Sequence, residues 1–344
     1  MPGCWKATNS MDDVAYVLSR FGWSQLPPHV DDLGHAGGFS GANLWRLKDG
    51  AETLCLRRWP AELTDDSRLR FIHQVQRHAA RQMPCVPQLR LTLTGESFVQ
   101  HADHFWELAA WLPGKANYHR EPTPLKLRAA LQTLAEFHLV VADFHAAPAF
   151  SPGLTERCKR LNNWLDGGIA RLQAELPHSD WPELPERGAR LVQLFLQEAP
   201  RLRPALTAAA QVRLPLQACL RDIWHDHVLF EGARVTGLVD FGAARMETVA
   251  CDIARLLGSL VGDNSAAWQF GLNAYLEIRP LSHDERELVT MFDASGVLLA
   301  GMSWLEWLIL ERREFRNHTR VLRRIDDALA RLERRARPAG LVIP

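Results

Sequence analysis

The stretch from Leu220 to Gly242, L-R-D-I-W-H-D-H-V-L-F-E-G-A-R-V-T-G-L-V-D-F-G, constrains this chain more than any other. It sets two acids, Asp222 and Asp240, eighteen residues apart. Between them lie a short apolar run, a glycine turn and a second apolar run, which predict loop, strand, hairpin and strand. That layout puts one carboxylate before the hairpin and one just after it, so both can face the same cleft. Acids so placed can divide the labour of phosphoryl transfer: one receives a hydroxyl proton, the other holds Mg²⁺ on nucleotide phosphates. Asp is also common in surface turns. Asp240-Phe241-Gly242 directly after the apolar Gly237-Leu238-Val239 favours the functional reading.

With 344 residues the chain is long enough for two domains or one two-lobed unit. Hydrophobic residues make up 47%, which excludes wholesale disorder. The formal net charge is zero, so nothing electrostatic points to nucleic acid or an anionic membrane as a partner. Six scattered cysteines form no C-x-x-C pair, against a disulfide framework or zinc knuckle. No N-terminal apolar signal region is visible and no apolar run reaches the length of a membrane span. The apolar stretch 297–310 is broken by Ser303 and Glu306 and reads as a buried helix. A soluble cytoplasmic protein is the expectation.

Periodicity predicts an opening helix over 12–21 and a hairpin of strands 44–47 and 53–57 around Lys48-Asp49-Gly50. A helix over 64–83 and strands at 89–93, 97–100 and 105–112 follow. After Pro113-Gly114 the pattern turns helical, with helices at 125–145, 155–176 and 186–198. Beyond the acid-bearing hairpin, helices are expected at 249–261, 266–276, 284–310 and 313–335. A sheet-rich lobe over 1–112 and a helical lobe over 113–344 result, an α+β organisation.

Two further motifs carry chemistry. Gly34 to Asn43 is glycine-rich, so the amides of Gly37, Gly38, Phe39, Ser40 and Gly41, with Asn43, could approach phosphates closely. It is not a Walker A loop, because no G-K-[S/T] follows. On the strand after it, Arg57 is placed to offer a cation to the phosphates, with Arg58 on the opposite strand face.

In this order the motifs resemble the aminoglycoside phosphotransferase family, the kinase-like group that includes choline, homoserine and fructosamine kinases. The resemblance spans about Gly34 to about Trp307. The family's H-G-D-x-x-x-x-N maps onto Leu220 to His227, and its second acid maps onto Val239-Asp240-Phe241. Asp252-Ile253-Ala254 matches the later D-[L/I]-A helix start, whose acid braces the catalytic loop. Leu134-Ala135-Glu136-Phe137-His138 resembles the L-A-x-L-H helix, and Leu112-Pro113-Gly114 the end of the interlobe hinge. The resemblance implies a two-lobed protein-kinase-like fold with an antiparallel-sheet N-lobe and a helical C-lobe. It implies ATP or GTP as phosphate donor, with Ala109, Ala110 and Trp111 meeting adenine. It implies Mg²⁺ or Mn²⁺ on Asp240 and His227, Asp222 as general base and Asp252 as structural support. The acceptor would be a hydroxyl of a small molecule.

Departures from the family pattern open alternatives. Leu220 and Arg221 stand where the family has His-Gly; Arg221-Asp222 resembles the R-D of protein kinases. His227 replaces the metal-binding Asn, and imidazole is a poorer ligand for Mg²⁺ than an oxygen. Arg57 replaces the phosphate-binding Lys. Residues 64–83 contain no Glu to pair with it, and His73 or Gln74 occupies the expected region. A nucleotide-binding pseudokinase is therefore the alternative, and a metal-dependent hydrolase using His225 and His227 ranks below it. Trp224, Trp268, Trp304, Glu306 and Trp307 lie in segments that could line an acceptor site for a cationic or sugar-like substrate.

Overall fold

The computed structural model describes residues 10–34, 41–63, 65–315 and 317–336. The chain divides into two compact units, Met1–Ala116 with His227–Gly242, and Asn117–Asp226 with Ala243–Pro344. The first is built on an antiparallel sheet and the second is mostly helical, the α+β kinase-like arrangement the sequence implies.

In chain order the elements of the first stretch are α1 (Ser10–Arg20), β1 (His29–Gly34), β2 (Asn43–Asp49), β3 (Glu52–Arg58), α2 (Asp66–Ala80), β4 (Val99–His101) and β5 (His104–Ala110). The strands form one sheet in the order β1-β2-β3-β5-β4. Strand alternation gives it two distinct faces. Trp45, Leu47, Leu54, Leu56, Trp106 and Leu108 turn to one side and pack with Val14, Val17 and Leu18 of α1. Arg57 on β3 and Glu107 on β5 are register partners on the other side, where His73 of α2 reaches Glu107.

The second unit contains α3 (Pro124–Val140), β6 (His145–Phe150), α4 (Pro152–Asn163), α5 (Ile169–Glu175), α6 (Leu184–Ala210) and β7 (Arg213–Cys219). The hairpin β8 (Val228–Glu231) and β9 (Arg234–Leu238) follows, and the chain then returns through β10 (Arg245–Glu247), α7 (Ala250–Val261), α8 (Ser265–Leu276), α9 (His283–Leu305) and α10 (His318–Ala336). Within this unit α9 packs on α6, α7 and α10, and α3 packs on α8. One wider turn, Glu306–Leu310, extends α9. The combined segment His283–Leu310 is long and apolar enough to cross a membrane by length and composition, contrary to the sequence expectation. Most of its apolar stretch is instead buried in the unit's own core.

Several elements differ from expectation for identifiable reasons. The hairpin belongs with the sheet unit, not with the lobe expected over 113–344. Lys115 and Phe230 exchange backbone hydrogen bonds at 3.1 and 2.9 Å, and the Leu238 amide donates to the Cys85 carbonyl at 2.7 Å. The expected strand at 89–93 reduces to a bridge between Leu89 and Ala109, because a turn closed by Gly95 N–H on the Thr92 carbonyl interrupts it. The helix expected over 125–145 stops at Val140, and His145–Phe150 pairs with β7. Helix α6 runs through Pro200 and Pro204 to Ala210. Both prolines face solvent, so water can satisfy the carbonyls they leave unbonded. The edge strand β1 carries Asp31 and Asp32 and shows no apolar alternation to announce it.

Gly114 has φ +96°, and a Cβ there would lie 2.3 Å from Thr236 Oγ1 and 2.9 Å from the Phe230 carbonyl oxygen. Thr236 Oγ1 itself donates to the Pro113 carbonyl at 2.7 Å. Gly114 is thus the point where the hairpin docks onto the chain before it. Gly114→Ala is predicted to cost about 2–3 kcal/mol, from left-handed strain plus contact with backbone. In thermal unfolding the midpoint should fall by roughly 5 °C.

Candidate active site

Asp222 sits in the loop between β7 and the hairpin, and a buried scaffold fixes that loop. Asp252, at the start of α7, is fully buried. Its carboxylate accepts the Leu220 N–H at 2.7 Å and the Arg221 N–H at 2.6 Å. His138 of α3 holds one of the same oxygens through Nε2 at 3.1 Å and contacts the Tyr275 hydroxyl through Nδ1 at 2.7 Å. Burial pushes His138 below its ordinary range against the opposing pull of Asp252. The loop turns at Arg221, whose φ of +63° is rare for a residue with a side chain. The two amides aimed at Asp252 hold this backbone, and Asp222 follows directly. Its carboxylate is half-exposed, and Arg255 of α7 donates to Oδ1 through Nε at 3.1 Å and Nη2 at 2.9 Å.

The hairpin unit carries Asp240, also left-handed at φ +62°. Arg57 Nη1 donates to its Oδ1 at 3.0 Å, the Gly242 N–H reaches the same oxygen at 3.3 Å, and His227 Nε2 stands 3.6 Å from Oδ2. Burial alone would raise the Asp240 carboxyl, but Arg57, His227 and the Gly242 amide outweigh it and hold it below the usual range. A Cβ on Gly242 would lie 3.1 Å from Asp240 Oδ1 and 3.3 Å from Arg57 Nη2, so this glycine leaves room for the pair. Arg57 Nε is buried with no hydrogen-bond partner.

The missing helix Glu has a substitute on the sheet. Glu107 is buried and accepts from Trp59 Nε1 at 2.7 Å. His73 Nε2 meets the same carboxylate oxygen at 2.7 Å, while His73 Nδ1 meets Ser97 Oγ at 2.8 Å. With Glu107 ionised, the His73 Nε2–H donates to it. The Arg57 guanidinium lies over the Trp59 ring at 4.0 Å. His73 therefore binds a carboxylate rather than replacing one, and Asp240 and Glu107 supply the negative charge that balances the buried Arg57. Sequence reasoning passed over Glu107, Trp59 and Arg255. Glu107 could have been found as the acid directly across the strand pair from Arg57.

The remaining expected positions divide. Gly37, Gly38, Phe39 and Ser40 lie outside the described residues. Gly41 has φ +77°, and Asn43 opens β2 opposite Arg58. Ala109 and Ala110 end β5, but the Ala110 N–H donates to the Gln88 carbonyl at 2.9 Å and the Trp111 N–H to Thr53 at 3.0 Å. The sheet consumes both donors, so a hydrogen bond to adenine from this segment must come from a carbonyl or from beyond Trp111. His225 bonds Ser259 Oγ through Nδ1 at 2.7 Å. Among the described residues, the group of His, Cys, Asp or Glu with ligand atoms within 4.8 Å of one another is His138, Cys219 and Asp252, not one built on His225 and His227. Burial pushes the Cys219 thiol well up, and its Sγ contacts the Glu247 carbonyl at 3.3 Å, which makes that group a packed scaffold. Trp304 packs edge-on to Trp307 and Phe315, and Glu306 is bonded to Arg160 at 3.0 Å.

The braced acid loop, and separately the second acid beside a strand cation, lie where the sequence resembles a kinase-like phosphotransferase. The model of the phosphotransferase enzyme family matches residues 33–288, and the chain belongs to that family. No curated protein matches the chain. Among solved structures it is similar to an amicoumacin kinase in complex with AMP-PNP, Ca²⁺ and Ami (TM-score 0.63, 11% identity, 95% of this chain and 94% of that one). It is also similar to a spectinomycin phosphotransferase in complex with ADP and spectinomycin (0.60, 9%, 88% and 92%). A third is an aminoglycoside phosphotransferase from Alicyclobacillus acidocaldarius (0.57, 15%, 93% and 95%). At these identities the likeness establishes the fold.

Burial pushes the Glu107 carboxyl up, but the hydrogen bond and charge of His73, with Arg57 and the Trp59 N–H, hold it below the ordinary range. Its contribution to stability is then complete above the unfolded pKa and lost as pH falls through the lower folded one. Glu107→Gln should lower the thermal midpoint at pH 7 and flatten its decline between about pH 5 and pH 3 relative to wild type. A midpoint-against-pH series on both proteins checks this.

Proposed function

We propose that this protein is an ATP-dependent phosphotransferase that moves the γ-phosphate to a hydroxyl of a small molecule. The observation that carries the reading is the brace on the acid loop. A fully buried carboxylate spends both oxygens on the backbone N–H groups of Leu220 and Arg221, next to a partly exposed Asp222. A turn acid with no task would not need a buried ion to hold the backbone before it.

The residues suit a nucleotide with a divalent cation. Asp240 offers hard oxygens, His227 stands beside it, and the buried Arg57 Nε lacks a partner that a phosphate oxygen could be. Mg²⁺ bound at Asp240 would neutralise charge on the phosphates. Arg57, released from Asp240, would bind phosphate as a fork, a geometry that Lys does not offer. Asp222 orients the acceptor hydroxyl and takes its proton as the oxygen bonds to the γ-phosphorus. The bond from that phosphorus to the bridging oxygen breaks, and ADP leaves with the electron pair. ATP or GTP is the phosphate donor.

A second reading, nucleotide binding without turnover, is favoured by one observation: both acids are bonded to arginine, Asp222 to Arg255 and Asp240 to Arg57. A single-turnover experiment with γ-labelled ATP separates the two. On the first reading the wild type releases or transfers label, and Asp222→Asn is slower by about 10²-fold or more while still stabilised by ATP and Mg²⁺. Equal label release by both forms would remove Asp222 from catalysis. No release by either form, with nucleotide binding retained, would select the second reading.

A further inference from the structure

The surroundings of Asp222 within its own unit are rich in guanidinium groups. Arg255 of α7 forks onto one oxygen of Asp222. Arg320 and Arg324 of α10 approach a single oxygen of Asp226 at 3.7 and 3.6 Å, and His225 Nε2 approaches the other at 3.5 Å. Trp224 links the two groups: the Arg324 guanidinium lies 4.1 Å from its ring centroid and that of Arg255 5.8 Å. Three guanidiniums and an imidazole thus face two carboxylates, with Asp327 as a further acid acting on Arg324. One of those carboxylates, Asp222, is the group the reaction needs. Burial disfavours the charge on Arg324, and repulsion from Arg320 and Arg255 adds to it against the attraction of Asp226 and Asp327.

The acids nearby are already committed. Glu156 holds Arg221, the residue before Asp222, at 3.3 Å, and Asp226 is approached by Arg320 and Arg324. A polycationic acceptor would have to displace arginines from these carboxylates and sit beside Arg255 and Arg324. An acceptor with its own anionic group meets the opposite situation. It can take the Arg255 fork in bidentate form, which is stronger and better oriented than a fork on one oxygen.

We propose that the acceptor is a hydroxyl compound bearing a carboxylate or phosphate close to the reacting hydroxyl. Arg255, with Arg324, binds that anion and in doing so withdraws its fork from Asp222, the group that takes the hydroxyl proton. This inference rests on the phosphotransferase reading and names its substrate class. It also gives the Arg255–Asp222 pair a purpose: the base is masked until a matching anion arrives, which limits wasteful hydrolysis of ATP.

The test uses the full chain with ATP and Mg²⁺ and compares glucuronate, gluconate and glucose 6-phosphate with glucose, glucosamine and spectinomycin at matched ionic strength. Thermal shift reports binding and ADP release reports turnover. Stabilisation is expected from at least one anionic probe and from neither cationic one. Arg255→Ala should weaken that binding about tenfold or more, the worth of a charge-assisted hydrogen bond. Arg255→Lys should recover only part of it, because the fork is lost. The carboxylate and phosphate arms decide which anion the site takes. The inference is overturned if no anionic probe stabilises the protein, if glucosamine or spectinomycin binds or turns over at least as well, or if Arg255→Ala leaves anion binding unchanged. Failure of the underlying reading looks different: ATP with Mg²⁺ then gives neither stabilisation nor hydrolysis, whichever acceptor is present.

Discussion

The burial of Arg57 is the constraint from which the sheet unit follows. A guanidinium whose side chain is only 12% exposed needs carboxylates at hand, because an unpaired charge withdrawn from water costs several kcal/mol. Two elements far apart in sequence answer it: Asp240 after the hairpin, at 3.0 Å, and Glu107, its register partner on β5. Trp59 closes the arrangement by lying under the guanidinium and donating its indole N–H to Glu107. The need for Asp240 explains why the hairpin joins the sheet unit although the chain has already entered the helical one.

In the helical unit Asp252 plays the corresponding part. Its two oxygens hold the backbone of Leu220 and Arg221, while His138, itself held by the Tyr275 hydroxyl, bonds Asp252 from behind. Both acid loops pass through a left-handed non-glycine residue, Arg221 in one and Asp240 in the other. Such conformations persist only where surrounding bonds over-determine them. Here those bonds hold the residue before Asp222 in one loop and Asp240 itself in the other, the acids proposed for proton transfer and metal binding.

Much of this was legible in the sequence, because the signals were local. The Asp222–Asp240 spacing, the Asp49-Gly50 hairpin and the helical periods of α3, α7 and α9 follow from turn chemistry and apolar repeats. Other features depend on tertiary pairing that no local pattern encodes. Strands β6 and β7 continue from helical sequence, and β1 is an acidic edge strand. The sequence pattern points to α2 for the Glu that balances Arg57, but the chain places it on β5 and puts His73 on the helix. Backbone bookkeeping was equally hidden: the Ala110 and Trp111 amides are used by Gln88 and Thr53, which moves any adenine donor beyond the segment expected to supply it.

His227 is the departure that bears most on activity, since it stands beside Asp240 where the family carries an amide. If Asp240 exchanges Arg57 for a metal-bound nucleotide, affinity for the nucleotide must depend on the metal and on this acid together. Isothermal titration of AMP-PNP, with and without Mg²⁺, into wild type and Asp240→Asn measures that dependence directly. Mg²⁺ is expected to strengthen binding about tenfold or more in wild type and to leave it unaltered in Asp240→Asn. The same affinity with and without metal in wild type would contradict it.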